Sequence, residues 1–419
     1  MNHISFESLG IGGKFCRALK DVGYSEPTPI QAQAIPHLLE GKDLFGVAQT
    51  GTGKTAAFAL PLLQRLDDQR VAPRPKRPRA LILAPTRELA LQIHEELATY
   101  SRYAKLRHSF VFGGVGQSPQ IKALAKGLDV LVATPGRLLD LAQQRHLDLS
   151  DVSVLVLDEA DRLLDMGFVR DVKRIVAQTP RTRQSLLFSA TMPKEVASLA
   201  REMLNDPVRI DVSPKQMTVR EIEQRVVMVN HADKRRMLAR LLRDDEVSRA
   251  IVFTRTKHGA NKVARQLEAI GIGAEAIHGN KSQNARQRAL QNFKNGDAWV
   301  LVATDIAARG IDIDRVSHVI NYELPHEPES YVHRIGRTGR AGARGVAWSL
   351  VDPSERSRLK AVERLIKFSP EEKVVELPPQ DPSEQVREAP PREVRHNASS
   401  QQQDRGRRRP RRRRRQRAA

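Results

Sequence analysis

Short, continuous apolar runs, each closed by a polar cluster, recur along the chain at 44–48, 81–84, 110–112, 130–133, 154–157 and 186–188. Runs this short and without alternation predict strands buried on both faces, and amphipathic stretches between them, such as 88–100, predict the covering helices. Two helices are expected ahead of the first run, at 13–22 and from the prolines around Thr28 to Glu40. Past position 219 the alternation resumes, with strands expected at 224–229, 250–253, 274–277, 299–303, 318–320 and 346–351, and the clearest helices at 257–270 and 283–295. The pattern predicts an α/β chain with two parallel sheets in tandem. Between them, 212–219 has no apolar period and contains Pro214, which reads as a linker.

Open parallel sheets bind ligands at the carboxyl ends of their strands. In the first half every polar cluster falls at such an end: Pro85-Thr86-Arg87, Gly113-Gly114, Thr134-Pro135-Gly136-Arg137, Asp158-Glu159-Ala160-Asp161 and Ser189-Ala190-Thr191. The set is expected to form one functional edge.

The run at 44–48 opens into Gln49-Thr50-Gly51-Thr52-Gly53-Lys54-Thr55 and then a helix. A Gly-Lys-Thr triplet alone is usually an ordinary turn. Between a buried strand and a helix start it meets the needs of a phosphate loop: glycines that aim backbone N–H groups at an anion, a lysine for the β- and γ-phosphates, and a threonine hydroxyl for Mg²⁺. Ala48 stands where the usual pattern begins with Gly. Just upstream, the Gln31 amide is suited to pair with adenine N6 and N7, which guanine does not match, and no Asn-Lys-x-Asp guanine reader occurs. ATP is the expected nucleotide. Asp158, directly after a buried strand, is placed to take a water of the Mg²⁺ shell, and Glu159 to deprotonate the attacking water. In the second half, Arg337 and Arg340 flank Gly339 and could project to one side of a turn as arginine fingers, so that hydrolysis would require the two halves to close.

Length and charge sharpen the picture. A chain of 419 residues exceeds what one core usually supports. Composition and pattern divide it into an N-terminal segment 1–32, a first domain 33–211, a linker 212–220, a second domain 221–368 and a tail 369–419. The tail is rich in Pro, Glu, Gln and Ser and ends with ten arginines between Arg405 and Arg417, so it is expected to be disordered and to act either as a nonspecific nucleic-acid arm or as a solubilising extension. Less than half of the net charge of +21 lies there, and the remainder still favours a polyanionic partner. Aromatic residues make up only 4%, so nucleic acid is expected to be read by its backbone, without sequence preference. Cys16 is the single cysteine, which excludes an intramolecular disulfide or thiolate cluster and favours a reducing compartment. The first residues do not form a secretory signal and no apolar run approaches the ~20 residues of a membrane span, so a soluble, cytoplasmic protein is expected.

Taken together, Phe6, the segment from Gly23 to Gln31, the phosphate loop, the clusters beginning at Pro85, Thr134, Asp158 and Ser189, Ala303-Thr304-Asp305 through Arg309-Gly310-Ile311-Asp312, and His333 to Arg340 resemble the DEAD-box ATP-dependent RNA helicases, in order and without a missing motif from about Phe6 to Ile366. The stretches 252–261 and 276–282 resemble the bacterial RhlE-type subgroup more closely. The resemblance implies two RecA-like domains with ATP and Mg²⁺ in the cleft and single-stranded RNA crossing both. It implies that Phe6 stacks on adenine beside Gln31, that Gln49 to Thr55 hold the phosphates and metal, that Asp312 contacts the ribose, and that Asp161, Ser189, Thr191 and His333 couple hydrolysis to closure. Pro85, Thr86, Arg87, Gly114, Thr134, Arg137, Arg255, Gly279 and Thr304 would line the RNA path. Local unwinding of short duplexes or RNA–protein remodelling by a monomer would follow, with ribosomal or RNA-decay complexes as candidate partners. The residues also leave open an ATP-gated RNA clamp or ribosome-assembly scaffold with little unwinding, and a nucleotide switch that docks a protein.

Overall fold

The protein is described by a computed structural model covering residues 4–49, 51–212, 222–308, 316–339 and 344–377. The expected linker beyond Val212, most of the expected tail, and the site candidates Thr50, Asp312 and Arg340 lie outside the described residues.

Among these residues the chain forms two seven-stranded sheets in which every paired neighbour is parallel. The first holds β1 (Leu44–Val47), β2 (Ala80–Leu83), β3 (His108–Val111), β4 (Val130–Ala133), β5 (Val154–Leu157), β6 (Gln184–Ser189) and β7 (Val208–Asp211), in the order β3-β4-β2-β5-β6-β1-β7. The second holds β8 (Ile222–Met228), β9 (Ala250–Phe253), β10 (Ala274–Ile277), β11 (Val300–Ala303), β12 (His318–Asn321), β13 (Gly345–Val351) and β14 (Glu371–Glu372), in the order β10-β11-β9-β12-β13-β8-β14. Two RecA-like sheets in tandem are therefore present, as the apolar pattern indicated.

The central strands are apolar throughout because each feeds two cores. Ala80, Ile82, Val130, Val132, Val154 and Val156 pack into one cluster. Their neighbours Leu81, Leu83, Leu131, Ala133, Leu155 and Leu157 pack into another on the opposite face. Alternate side chains point to opposite faces, so only an uninterrupted apolar run satisfies both. The second sheet repeats this, with Ile251, Leu301 and Val319 on one side and Val252, Val302 and Ile320 on the other.

Strand register levels the loops that matter. Val47 pairs with Ser189, and Leu83 pairs with both Ala133 and Leu157. The segments following β1, β2, β4, β5 and β6 therefore leave the sheet on one edge. Two edge strands, β7 and β14, were not expected from the sequence; their residues are mostly exposed and polar, so no apolar run marks them. Strand β14 falls within 369–419, where it pairs with β8, and Lys373 N donates to Val226 O at 2.8 Å. Among the described residues no helix is long and apolar enough to cross a membrane.

Candidate active site and nucleic-acid interface

Strand β1 passes into the glycine loop and then the helix Lys54–Gln69. Gly51 and Gly53 adopt positive φ, +85° and +87°. A Cβ at Gly53 would also stand 2.4 Å from Gln31 Nε2, so the position excludes a side chain both by conformation and by space. Gln31, in the helix Pro29–Leu39, donates from Nε2 to Gly53 O at 3.1 Å and accepts from Thr28 N at 2.9 Å. The expected adenine reader is thus tied to the phosphate loop itself. Lys54 is buried and its Nζ donates to Ala48 O at 2.9 Å, folding back across the loop, while Thr52 Oγ1 donates to Gln49 O at 2.8 Å. Thr55 sits in the first turn of the helix. Phe6 is enclosed in the core cluster that holds Ala48, Ala56 and Phe58 of this strand and helix.

At the end of β5, Asp158 and Glu159 are both buried. Burial pushes the Asp158 carboxyl up, an effect opposed by Lys54 and reinforced by Glu159. Burial acts on Glu159 in the same sense but is outweighed by Arg162, Lys54 and Arg337, so its carboxyl lies below the ordinary value. Glu159 holds left-handed backbone angles, φ 49° and ψ 53°, which cost a non-glycine residue about 1–2 kcal/mol. Asp161 accepts from Thr191 N at 2.9 Å and from Thr191 Oγ1 at 2.8 Å. Ser189 Oγ accepts from Asp161 N at 3.3 Å and donates to Thr191 O at 2.7 Å. Three of the four expected coupling residues therefore form one network.

The fourth, His333, lies in the helix Pro328–Ile335 of the second half, and its carbonyl accepts from Arg337 Nε at 3.3 Å. Arg337 is 6% exposed, and its charge acts on Glu159 of the first sheet. Its neighbour Arg334 serves differently. That guanidinium is fully enclosed, forked onto Asp305 and bonded to Asn321 Oδ1 at 3.1 Å and Glu323 O at 2.6 Å. It ties the loop after β11 to the end of β12.

On the other loops of the first edge, Thr86 caps the helix Arg87–Tyr100, its Oγ1 accepting from Leu89 N at 3.2 Å, directly after the buried Pro85. The Arg87 guanidinium lies over Gly114, where a Cβ would meet Nη1 at 2.1 Å and where φ is +78°. Burial lowers the Arg87 pKa; Glu88 opposes this, and Arg286 and Arg137 add to it. Arg137 reaches Val115 O at 3.4 Å, and Thr134 occupies the N-cap position of the helix that carries it, with extended backbone angles and no cap hydrogen bond from its side chain. Arg87, Gly114 and Arg137 are thus gathered. In the second sheet, Arg255 leaves β9 forked on Glu323, with contacts of 3.0 and 3.2 Å, and Thr304 N approaches Ile277 O at 3.4 Å. Gly279 is exposed, with open space where a Cβ would be.

Three contributors were not anticipated. Glu88 joins the two halves: its Oε1 accepts from Gln283 Nε2 at 3.0 Å and lies 2.9 Å from Arg286 Nε. Arg334 and Arg162 are the others. Spacing within a helix, 159 to 162, offers a signal for Arg162; nothing in the linear sequence joins Glu88 to a helix beginning at Gln283.

The comparisons with known proteins bear directly on this arrangement. Residues 28–199 match the DEAD/DEAH box helicase family and residues 233–342 the helicase conserved C-terminal domain. The DEAD-box ATP-dependent RNA helicase CshA of Bacillus cereus is 45% identical over 87% of this chain and 68% of its own length. The ATP-dependent RNA helicase CshA of Listeria monocytogenes is 47% identical over 86% of this chain and 69% of its own. Among solved structures, S. cerevisiae Dbp5 bound to RNA and ADP BeF3 aligns with a TM-score of 0.76 at 33% identity, covering 88% of this chain and 95% of that one. These relatives carry the CshA name and give the expected RhlE-type assignment no support. The chain belongs to the DEAD-box ATP-dependent RNA helicases and is, with them, an RNA-stimulated ATPase.

Proposed function

We propose that ATP is hydrolysed where the edge of the first sheet meets Arg337 of the second, and that single-stranded RNA is held across the loops of both. Gln31 receives the adenine, with Phe6, which is enclosed in the core cluster here, assigned to it by resemblance to the family alone; the backbone of Gly51 to Gly53, with Gln49 and Lys54, receives the phosphates. For this, Lys54 Nζ must exchange Ala48 O for phosphate oxygen, a charge-assisted and stronger bond. Glu159 takes the proton of the attacking water, and Arg337 offsets the charge that develops on the γ-phosphate. Thr50, Asp312 and Arg340 join these groups by resemblance to the family.

The donor set fits a divalent cation. Asp158 is a buried carboxylate whose charge is disfavoured by burial and by the neighbouring Glu159, and a bound cation relieves both. Thr55 and Asp158 would hold Mg²⁺, which supplies charge neutralisation on the phosphates when bound. The network of Asp161, Ser189 and Thr191 links the acidic cluster to the loop after β6, and Arg87, Gly114, Thr134, Arg137, Arg255, Gly279 and Thr304 present RNA-facing groups on the loops described above.

The observation that carries this reading is the direct contact between the halves, in which Glu88 Oε1 accepts from Gln283 Nε2 at 3.0 Å and stands 2.9 Å from Arg286 Nε, with the buried Arg337 of the second half helping to hold the Glu159 carboxyl below its ordinary value. Closure over RNA and closure over the triphosphate are then one event, and RNA strained by the closed form is released on hydrolysis. ATP turnover measured with and without single-stranded RNA at fixed salt tests it. Strong stimulation is expected. RNA binding without stimulated turnover would favour a clamp, and indifference to RNA a switch.

A further inference from the structure

Glu159 must be aimed, and its own backbone does not do it: the residue sits at left-handed angles ahead of a helix of only six residues, Ala160–Asp165. Its side chain turns about three bonds, and a base acts only within hydrogen-bond reach of the proton it takes. The structure supplies a holder. Arg162 Nη1 donates to Glu159 Oε2, and the two side chains are 6% and 3% exposed. Arg162 N in turn donates to Asp161 Oδ1 at 3.1 Å, and Asp161 is gripped by Thr191. A continuous path thus runs from the loop after β6, through Asp161 and Arg162, to the Glu159 carboxylate.

We propose that Arg162 is a positioning residue for Glu159, fixing the carboxylate in the direction from which it attacks the water proton and tying that direction to the Ser189-Ala190-Thr191 segment. The inference rests on the reading of Glu159 as the base. A guanidinium suits the task because its planar fork fixes orientation as well as charge, where a lysine ammonium fixes charge alone. An aiming group acts on the chemical step and leaves nucleotide affinity nearly untouched, since Glu159 is not among the groups that hold the phosphates.

The test compares Arg162→Gln, Arg162→Lys and Glu159→Gln in the full chain, with MgATP and with saturating single-stranded RNA or none, reading kcat, KM for ATP and thermal midpoint. Displacement of a reacting group by about 1 Å costs on the order of 10²-fold. Arg162→Gln is expected to lower kcat at least about tenfold with KM for ATP within about twofold. Arg162→Lys is expected to recover part of the loss while remaining about threefold or more below the unchanged chain, at an unchanged thermal midpoint. Normal kcat in Arg162→Gln beside a collapsed Glu159→Gln overturns the proposal and leaves the base in place. Near-normal turnover in Glu159→Gln overturns the base reading itself. A rise in RNA-free turnover in Arg162→Gln also overturns the proposal, since the pair would then restrain the carboxylate. If Arg162→Gln fails to fold while Arg162→Lys turns over normally, Arg162 is a strut of the fold and the proposal falls.

Discussion

Glu88 and Arg286 lie in helices of different halves of the chain, yet their charged groups lie 2.9 Å apart with both side chains at most 10% exposed. Glu88 follows Arg87, whose guanidinium covers Gly114, and Arg286 lies in the helix Gln283–Asn295 behind the exposed Gly279. The pair therefore joins the helices that adjoin two segments proposed to face RNA, as well as two halves of the chain. Coupling between ligand sites in proteins is typically worth about 1–3 kcal/mol, or roughly 5- to 150-fold.

Glu88→Gln is expected to reduce the stimulation of ATP turnover by RNA within that range while ATP affinity without RNA stays within about twofold. Turnover titrated with RNA, beside nucleotide binding without it, separates the two. Unchanged stimulation would reduce the pair to an incidental contact.

Gln31→Glu keeps the acceptor for Thr28 N and loses the donor to Gly53 O, placing a carboxylate against a carbonyl. A buried polar group left unsatisfied costs about 1–3 kcal/mol, so ATP affinity should fall about tenfold, with a smaller change in kcat. Equilibrium titration with a fluorescent ATP analogue measures it; equal affinity would show that the loop does not depend on this amide.

Arg334→Met leaves Asp305 without the fork that holds it. Breaking a buried pair by removing one partner typically costs about 3–5 kcal/mol. The second half should melt earlier, with ATP affinity of the unheated protein nearly unchanged. A thermal midpoint equal to that of the unchanged chain would deny Arg334 its structural role.

His94 and His108 face each other at 3.2 Å between Nδ1 atoms, in contact with Phe110. Burial, with His108 adding to it, lowers His94 to about 4 from the ordinary 6.5. The unfolded chain takes up its proton first as pH falls, so stability is full above about pH 6.5 and declines towards pH 4. His94→Gln, which keeps a hydrogen-bonding group without the charge, should show a shallower decline. Melting curves between pH 7 and 4 compare the two, and parallel declines would remove His94 from the account.

The central strands were legible because burial on both faces demands continuous apolar runs, as at Val154–Leu157. Strand β7 was not, since an edge strand such as Val208–Asp211 keeps half-exposed, polar positions. The acidic cluster and the phosphate loop stood out because their chemistry is packed into adjacent residues. Glu88 and Gln283 are 195 positions apart, and no periodicity connects them. Arg334 and Arg337 illustrate a different limit. Both lie in one arginine-rich stretch, and only the packing of Asp305 and Asn321 around Arg334 distinguishes a buried strut from the group whose charge helps lower Glu159.

The most direct measurement is ATP turnover by Arg337→Ala with saturating RNA, taken beside its ATP and RNA affinities. Arginine fingers contribute about 10³- to 10⁵-fold to hydrolysis, so turnover should fall by at least about 10³ while both ligands still bind. Turnover within a few-fold of the unchanged chain would contradict the account, because the second half would then contribute no charge to the reacting phosphate.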